Sequence, residues 1–244
     1  MADFMHLGGA ATAVVVGASG GIGAGFVRAL AGAPGIGRVH AFARRGRVPE
    51  GPGIVPGRLD LEDEASIAAA AAEVGEARLV IVATGLLHAP DLAPEKTWRD
   101  LDPAAFARSF AVNATGPALV AKHFLPVFPR RGASVFAALS ARVGSVSDNK
   151  AGGWYAYRAS KAALNQVLRC LAIEEGRRRQ GLVIAGLQPG TVDTGLSKPF
   201  QGAVKEGGLL DPDTAARHLL DVLARLTPAE SGRLFDWQGR EFPP

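Results

Sequence analysis

Apolar residues in this chain fall in short unbroken runs separated by longer amphipathic stretches. Thr12 to Val16, Val39 to Ala43, Leu79 to Ala83, Ser134 to Leu139 and Leu182 to Leu187 are the runs. They are apolar almost throughout instead of alternating, which implies strands buried on both faces and hence a mainly parallel sheet. A weaker third strand begins at Ile54-Val55 and leads to Leu59-Asp60-Leu61, and Leu234 to Trp237 reads as a final edge strand. Between the runs, helices are predicted over Ile22 to Ala31, Glu62 to Val74, from Pro103 past Phe124, Tyr157 to about Arg177, and Thr214 to Leu226. Leu164, Val167, Leu168 and Leu171 mark the buried face of the fourth of these. This order predicts an α/β fold, a doubly wound parallel sheet of about seven strands with helices on both faces, as one domain over residues 1–244. Asp193 to Asp211 carries the weakest pattern and several Gly and Pro, so a mobile flap is expected there.

The hydrophobic content of 48% over 244 residues supports a sizeable core and excludes a disordered chain. The net charge of +4 is mild, and its clusters, Arg44-Arg45, Arg130-Arg131 and Arg177 to Arg179, have no aromatic residues interleaved. Nucleic acid is therefore not an expected partner. No run approaches the ~18 apolar residues of a membrane span, and Met1 to Gly9 lacks the basic and apolar regions of a signal peptide. The single cysteine, Cys170, excludes an internal disulfide, and its neighbours Leu168 and Leu171 predict a small buried residue; a reducing, cytoplasmic setting is expected. His88 and His123 have no second ligand at metal spacing and read as surface or capping residues, so no metal is expected. Glu174-Glu175 reads as a solvated helix face.

Chemistry enters at the end of the first strand, which runs into Gly17-Ala18-Ser19-Gly20-Gly21-Ile22-Gly23 and opens a helix. Glycines at 17, 21 and 23 allow a sharp turn, close approach of backbone N–H groups to a pyrophosphate, and tight helix–sheet packing. Gly17, Ser19, Gly21, Ile22 and Gly23 are thus candidate dinucleotide contacts. Where an acidic residue would bind both ribose hydroxyls of NAD, the second strand ends in Ala43-Arg44-Arg45. A cation there attracts a 2′-phosphate, so NADP(H) is preferred over NAD(H), with Arg44 reading it. Asp60, beside Leu61, either accepts a hydrogen bond from the adenine amino group or caps the next helix.

Tyr157 and Lys161 in Tyr-Arg-Ala-Ser-Lys stand one helical turn apart on one face. A nearby ammonium favours the phenolate, giving an acid–base group for a carbonyl or alcohol oxygen. At this point the chain resembles the short-chain dehydrogenase/reductase family, over nearly its whole length. The glycine turn, Asn113 in Phe-Ala-Val-Asn, Tyr157, Lys161 and Pro189-Gly190 occur in the family's order. The run from Gly153 to Asn165 is similar to the branch containing C-factor-like proteins and some carbonyl reductases. The resemblance implies a Rossmann fold, and it implies roles. Tyr157 would be the general acid or base, Lys161 would bind the nicotinamide ribose and lower the tyrosine pKa, and Asn113 would hold a water of a proton relay. Thr191 and Val192 would hold the carboxamide and Thr194 would reach the phosphates.

Two departures stand out. Where the family has Asn-Asn-Ala-Gly after the fourth strand, this chain has Val82-Ala83-Thr84-Gly85, with Thr84 and Gly85 expected at the cofactor. Where the family often has two serines after the fifth strand, the second catalytic, only Ser140 stands, followed by Ala141. Counting from the strand makes Ser140 the catalytic serine, whereas counting back from Gly144 aligns Ala141 with it. Ser140 is the expected choice and Ser145 the substitute. The resulting expectation is an NADP(H)-dependent oxidoreductase interconverting a carbonyl and a secondary alcohol, acting on a small molecule as a homodimer or homotetramer. The alternative is an NADP(H)-binding sensor or signalling protein of C-factor type with little or no turnover. Leu86 to Asp100, Arg142 to Trp154 and Gly195 to Gly208 are expected to shape the substrate pocket, with Trp154, Leu196 and Phe200 as candidate walls.

Overall fold

A computed structural model describes residues 2–204 and 207–244, so Lys205 and Glu206 of the expected flap lie outside the described residues. In chain order the elements are β1 (Ala11–Val16), α1 (Gly21–Ala31), β2 (Ile36–Ala43), β3 (Ile54–Arg58), α2 (Glu64–Val74), β4 (Leu79–Val82), α3 (Pro103–Phe110), α4 (Gly116–Phe124), β5 (Ser134–Leu139), α5 (Tyr155–Gly176), β6 (Leu182–Gln188), β7 (Thr191–Val192), β8 (Leu209–Leu210), α6 (Pro212–Leu223) and β9 (Arg233–Asp236). Seven strands form one sheet in the order β3-β2-β1-β4-β5-β6-β9, every pair parallel. This is the doubly wound Rossmann arrangement.

The unbroken apolar runs follow from burial on both faces. Alternate residues of each strand serve opposite layers. Val15, Ile81, Ala137 and Leu187 pack with α1 and α6, whereas Val14, Val80, Phe136 and Ile184 pack with α2, α4 and α5. The strand order reverses at β1, which lies between β2 and β4. A crevice opens beyond the carboxyl ends of β1 and β4 at such a switch point.

Aspartates start three of the helices. Asp63 accepts from Ser66 N, Asp102 from Ala105 N and Asp211 from Thr214 N. Asp63 is thus the α2 cap, which removes that role from Asp60. The helix expected from Pro103 past Phe124 is interrupted by a π turn over Ala111–Thr115, which contains Asn113. π turns inside α-helices mark functional positions frequently enough to direct attention there.

Three local expectations are corrected. The fourth predicted helix starts at Tyr155, not Tyr157. Cys170 is exposed, because Leu164, Leu168 and Ala172 define the inward face of α5 and Cys170 lies off it. Glu175 is not solvated but buried, paired with Arg179 at 2.9 Å. Among the described residues no helix is long and apolar enough to cross a membrane.

Candidate active site

The glycine turn lies at the switch point. Gly17 has φ of +90°, and a Cβ there would stand 2.8 Å from Thr84 Cγ2. A Cβ on Gly23 would run into the Gly17 carbonyl. α1 begins behind Gly20, which supplies no side-chain cap, so the helix presents peptide N–H groups and the positive end of its dipole to the crevice. Thr194 packs against this turn, since a Cβ on Gly21 would meet its Cγ2 at 2.8 Å.

A cavity of about 360 Å³ runs from the turn, lined among others by Gly17, Ser19, Arg44, Asp60, Leu61 and Thr84. Gly85 lines it too. Arg44 is half-exposed and only loosely held, its Nη1 3.4 Å from Glu62 Oε2. Asp60 Oδ1 accepts from Glu62 N at 3.2 Å. Thr84 Oγ1 is buried with no hydrogen-bond partner in the protein. An orphaned hydroxyl, an uncapped helix and a loosely paired, half-exposed cation along one groove fit a phosphorylated dinucleotide.

At the other end of Gly85 the second half of the site begins. A Cβ on Gly85 would stand 3.7 Å from Lys161 Nζ, 3.8 Å from Asn113 Oδ1 and 3.5 Å from Leu196 Cδ1. Tyr157 and Lys161 are both buried on α5, with Lys161 Nζ 6.0 Å from the phenol ring centre. Lys161 donates to Leu139 O at 2.7 Å. Asn113 clamps the chain after β4: its Oδ1 accepts from Leu86 N and its Nδ2 donates to Leu86 O, both at 2.8 Å. The same Nδ2 donates to Ser160 Oγ, which in turn donates to Tyr157 O.

Burial governs both titrating groups. It pushes the Tyr157 phenol up to about 12 and the Lys161 ammonium down to about 7. The expectation that Lys161 lowers the tyrosine pKa is not met in this geometry, because desolvation of both charges dominates. Tyr157 therefore holds its proton throughout the neutral range.

The serine expectation also fails. Ser140 belongs to the side of β5 that faces α5, and its Oγ donates to Asn165 Oδ1 at 2.6 Å. The hydroxyl is buried between strand and helix instead of turned to the crevice. Ser145 is engaged as well, donating to Pro244 O at 3.3 Å and accepting from Asp148 N. Ala141 follows Ser140 in extended conformation (φ −151°, ψ 144°), so its side chain leaves on the opposite side.

Pro189 and Gly190 leave β6, and Thr191 and Val192 form the short strand β7 paired with β8. Beyond it the chain turns over the crevice. Phe200 meets Trp154 edge to face at 5.0 Å and His88 at 5.6 Å, and Trp154 meets Tyr157 at 6.3 Å. His88 also bonds Gly195 O at 3.0 Å. Trp154 has φ of +51°, an unusual conformation for a bulky residue. Glu95, buried to 4% exposure, holds it: Trp154 N donates to Glu95 O, and Ala156 N donates to the Glu95 carboxylate at 3.3 Å.

The model of the family described as short chain dehydrogenase matches residues 11–204. The chain belongs to that family. Among relatives, the C-signal of Myxococcus xanthus is 40% identical over 144 residues, covering 59% of this chain and 81% of its own length. The 1-hydroxy-2-glutathionyl-2-methyl-3-butene dehydrogenase of Rhodococcus sp. (strain AD45) is 33% identical over 180 residues, 74% of this chain and 75% of that one. Among solved structures, an NADPH-bound carbonyl reductase from chicken fatty liver matches with TM-score 0.80 at 26% identity, covering 98% of this chain and 97% of the other.

This short-chain dehydrogenase is thus an oxidoreductase with a nucleotide-binding fold. Of its expected cofactor residues, Gly17, Ser19, Arg44, Asp60, Leu61, Thr84 and Gly85 line one cavity, and the Asn113 and Lys161 side chains approach Gly85. Ser160, Asn165 and Glu95 were not singled out from sequence. Ser160 lies within the quoted Tyr-Arg-Ala-Ser-Lys run, so a buried-face count along α5 would have flagged it. Nothing local marks Glu95 or Asn165, whose partners lie far away in the chain.

Proposed function

We propose that this protein reduces a small carbonyl compound, an aldehyde or a ketone, to the corresponding alcohol, reversibly, with NADP(H). What carries the proposal is the burial of Tyr157 and Lys161 side by side on α5, at the end of the groove that starts at the glycine turn. The α1 N-terminus, Ser19 and Thr194 would hold the phosphates, Arg44 the 2′-phosphate, Asp60 and Leu61 the adenine, and Thr191 and Val192 the carboxamide. Thr84 Oγ1 would gain the partner it lacks within the protein. The dinucleotide, when bound, supplies or accepts the hydride.

The rest falls to the chain's own groups. Tyr157 keeps its proton at neutral pH and donates it to the oxygen of the carbonyl as hydride reaches the carbon. Lys161, with its ammonium pushed down to about 7, exchanges a proton near working pH and would hold the nicotinamide ribose. Asn113 fixes Leu86 and, through Ser160, the backbone of Tyr157, so the phenol is aimed from a rigid helix. Neither Ser140 nor Ser145 is assigned to the substrate oxygen.

The test is NADPH consumption over a panel of aldehydes and ketones, with Tyr157→Phe alongside. Turnover that falls at least a hundredfold in the variant, with NADPH binding retained, is the expected result. The likeness to the C-signal of Myxococcus xanthus, together with the averted Ser140, favours a second function, a cofactor-dependent signalling protein. NADPH binding without Tyr157-dependent turnover on any substrate would decide for it.

A further inference from the structure

Trp237 stands just beyond β9 and closes on the turn from which β7 starts. In the sheet Gln188 of β6 pairs with Asp236 of β9, so Pro189-Gly190 and Trp237 leave neighbouring strands at the same level. Gly190 has φ of +78°, and a Cβ there would stand 3.0 Å from both Cδ1 and Nε1 of Trp237 and 3.5 Å from Leu210 Cδ1 of β8. The indole edge thus occupies the space where a side chain at 190 would lie. Only glycine permits both this backbone and this approach.

The indole is itself held from two sides. His218 of α6 stacks on it, with ring centres 5.2 Å apart and planes 18° from parallel. Asp236, buried to 3% exposure, fixes the turn that carries it. Its carboxylate accepts from Gln238 N at 2.9 Å and from Arg240 N and Nε at 3.0 Å each, and its carbonyl accepts from Gly239 N at 2.8 Å. The strand that Gly190 leads into has far less support. β7 is two residues long and pairs with β8 alone, Thr191 with Leu209 and Val192 with Leu210. A ladder this short does not fix its own place in a fold. The position of β7 therefore depends on what backs its first turn, and that is Trp237.

We infer that Trp237 is a positioning residue for the nicotinamide half of the cofactor, its indole backing Gly190 and so setting where Thr191 and Val192 stand. This rests on the NADP(H) reading proposed above, with Thr191 and Val192 at the carboxamide. Trp237 acts through Gly190 and not on the cofactor itself. Removing the indole leaves a gap behind Gly190 into which the turn can settle, and a small displacement of a positioning group is costly. The adenosine half is held along the cavity lined by Gly17, Arg44 and Asp60, which does not include Trp237 or Gly190.

The test separates the two halves. Wild type, Trp237→Ala and Trp237→Phe are titrated calorimetrically with NADPH and with adenosine 2′,5′-bisphosphate, which keeps the adenine and the 2′-phosphate but has no nicotinamide. Trp237→Ala should weaken NADPH binding about tenfold. It should leave the bisphosphate within about twofold, as expected of a distant site. Trp237→Phe keeps a ring against Gly190 and His218 and should recover most of the NADPH affinity. A residue that serves stability alone moves both ligands together or neither, and either result overturns the inference. If Trp237→Ala does not fold, His218→Ala loosens the same stack: NADPH about threefold weaker with the bisphosphate unmoved supports the inference, and equal change or none overturns it. If the wild type binds no NADPH, the proposed function fails and hydrogen exchange decides the inference by itself. Exchange over residues 190–193 should quicken at least about threefold in Trp237→Ala while the Gly17 turn is unmoved, and no quickening there overturns it.

Discussion

Ser140 donates its hydroxyl to the side-chain oxygen of Asn165 at 2.6 Å, across the buried seam between β5 and α5. That single bond ties the strand behind the site to the helix that carries Tyr157 and Lys161. It also withdraws from the crevice the hydroxyl that family resemblance would place at the substrate oxygen. Ser140→Ala should therefore act on stability. It leaves Asn165 Oδ1 without its donor in a site where Asn165 Nδ2 already lacks an acceptor, a loss of about 1–3 kcal/mol by chemical denaturation. The activity should change less than about threefold. Ala141→Ser should do the reverse, raising kcat by about tenfold or more through a new donor at the developing oxyanion. A hundredfold loss of kcat in Ser140→Ala would contradict the placement.

Lys161 gives the protein a pH signature. Its folded-state pKa lies near 7, well below its ordinary value of 10.5. Between these two pH values the unfolded chain binds a proton that the folded chain does not, so stability rises with pH through that window. Below about pH 7 both states are protonated and the burial penalty is present in full. Tyr157 acts oppositely above pH 10, where the unfolded phenol ionises before the folded one. Urea denaturation at pH 7, 8 and 9 should show unfolding free energy rising by as much as about 1.4 kcal/mol per pH unit. In Lys161→Met that slope should disappear while reduction is abolished. An unchanged slope would assign it to other groups.

Arg44 lines the groove with its guanidinium half-exposed and only a 3.4 Å contact to Glu62. Charge-assisted hydrogen bonds to a phosphate are worth about 1.5–3 kcal/mol. Arg44→Ala should raise the KM for NADPH roughly ten- to a hundredfold and leave that for NADH within about twofold. Equal losses for both cofactors would show that Arg44 does not read the 2′-phosphate.

Glu95 is buried, and its carboxylate accepts from the backbone N–H of Ala156 at the start of α5, while its main-chain carbonyl accepts from Trp154 N. The side chain acts as a remote cap on the first turn of α5, next to Trp154. Glu95→Ala should cost about 1–2 kcal/mol of stability and lower kcat by loosening the helix start. Glu95→Gln keeps an acceptor oxygen and should recover most of both. Matched denaturation and steady-state kinetics on the two variants measure this directly.

Much of the molecule was legible in the linear order of residues. The apolar runs determined a parallel sheet covered on both faces, because strand and helix periodicities are local properties. The glycine turn was readable because close approach and positive φ admit few other residues, and the Tyr157–Lys161 pairing because a helical turn brings such residues to one face. Even the ambiguity at Ser140 and Ala141 was visible as two ways of counting.

The tertiary structure alone decided which of those counts holds. A side chain at the end of a strand turns toward whatever layer packs there, and Asn165 of α5 claims Ser140. The start of α5 is likewise set by Glu95, and the ring contacts around Trp154 by Phe200, itself against His88, each from a distant segment. The direction of the tyrosine and lysine shifts was also beyond the sequence. It depends on how completely water is excluded from both groups, and that exclusion exists only once α5 has packed on the sheet.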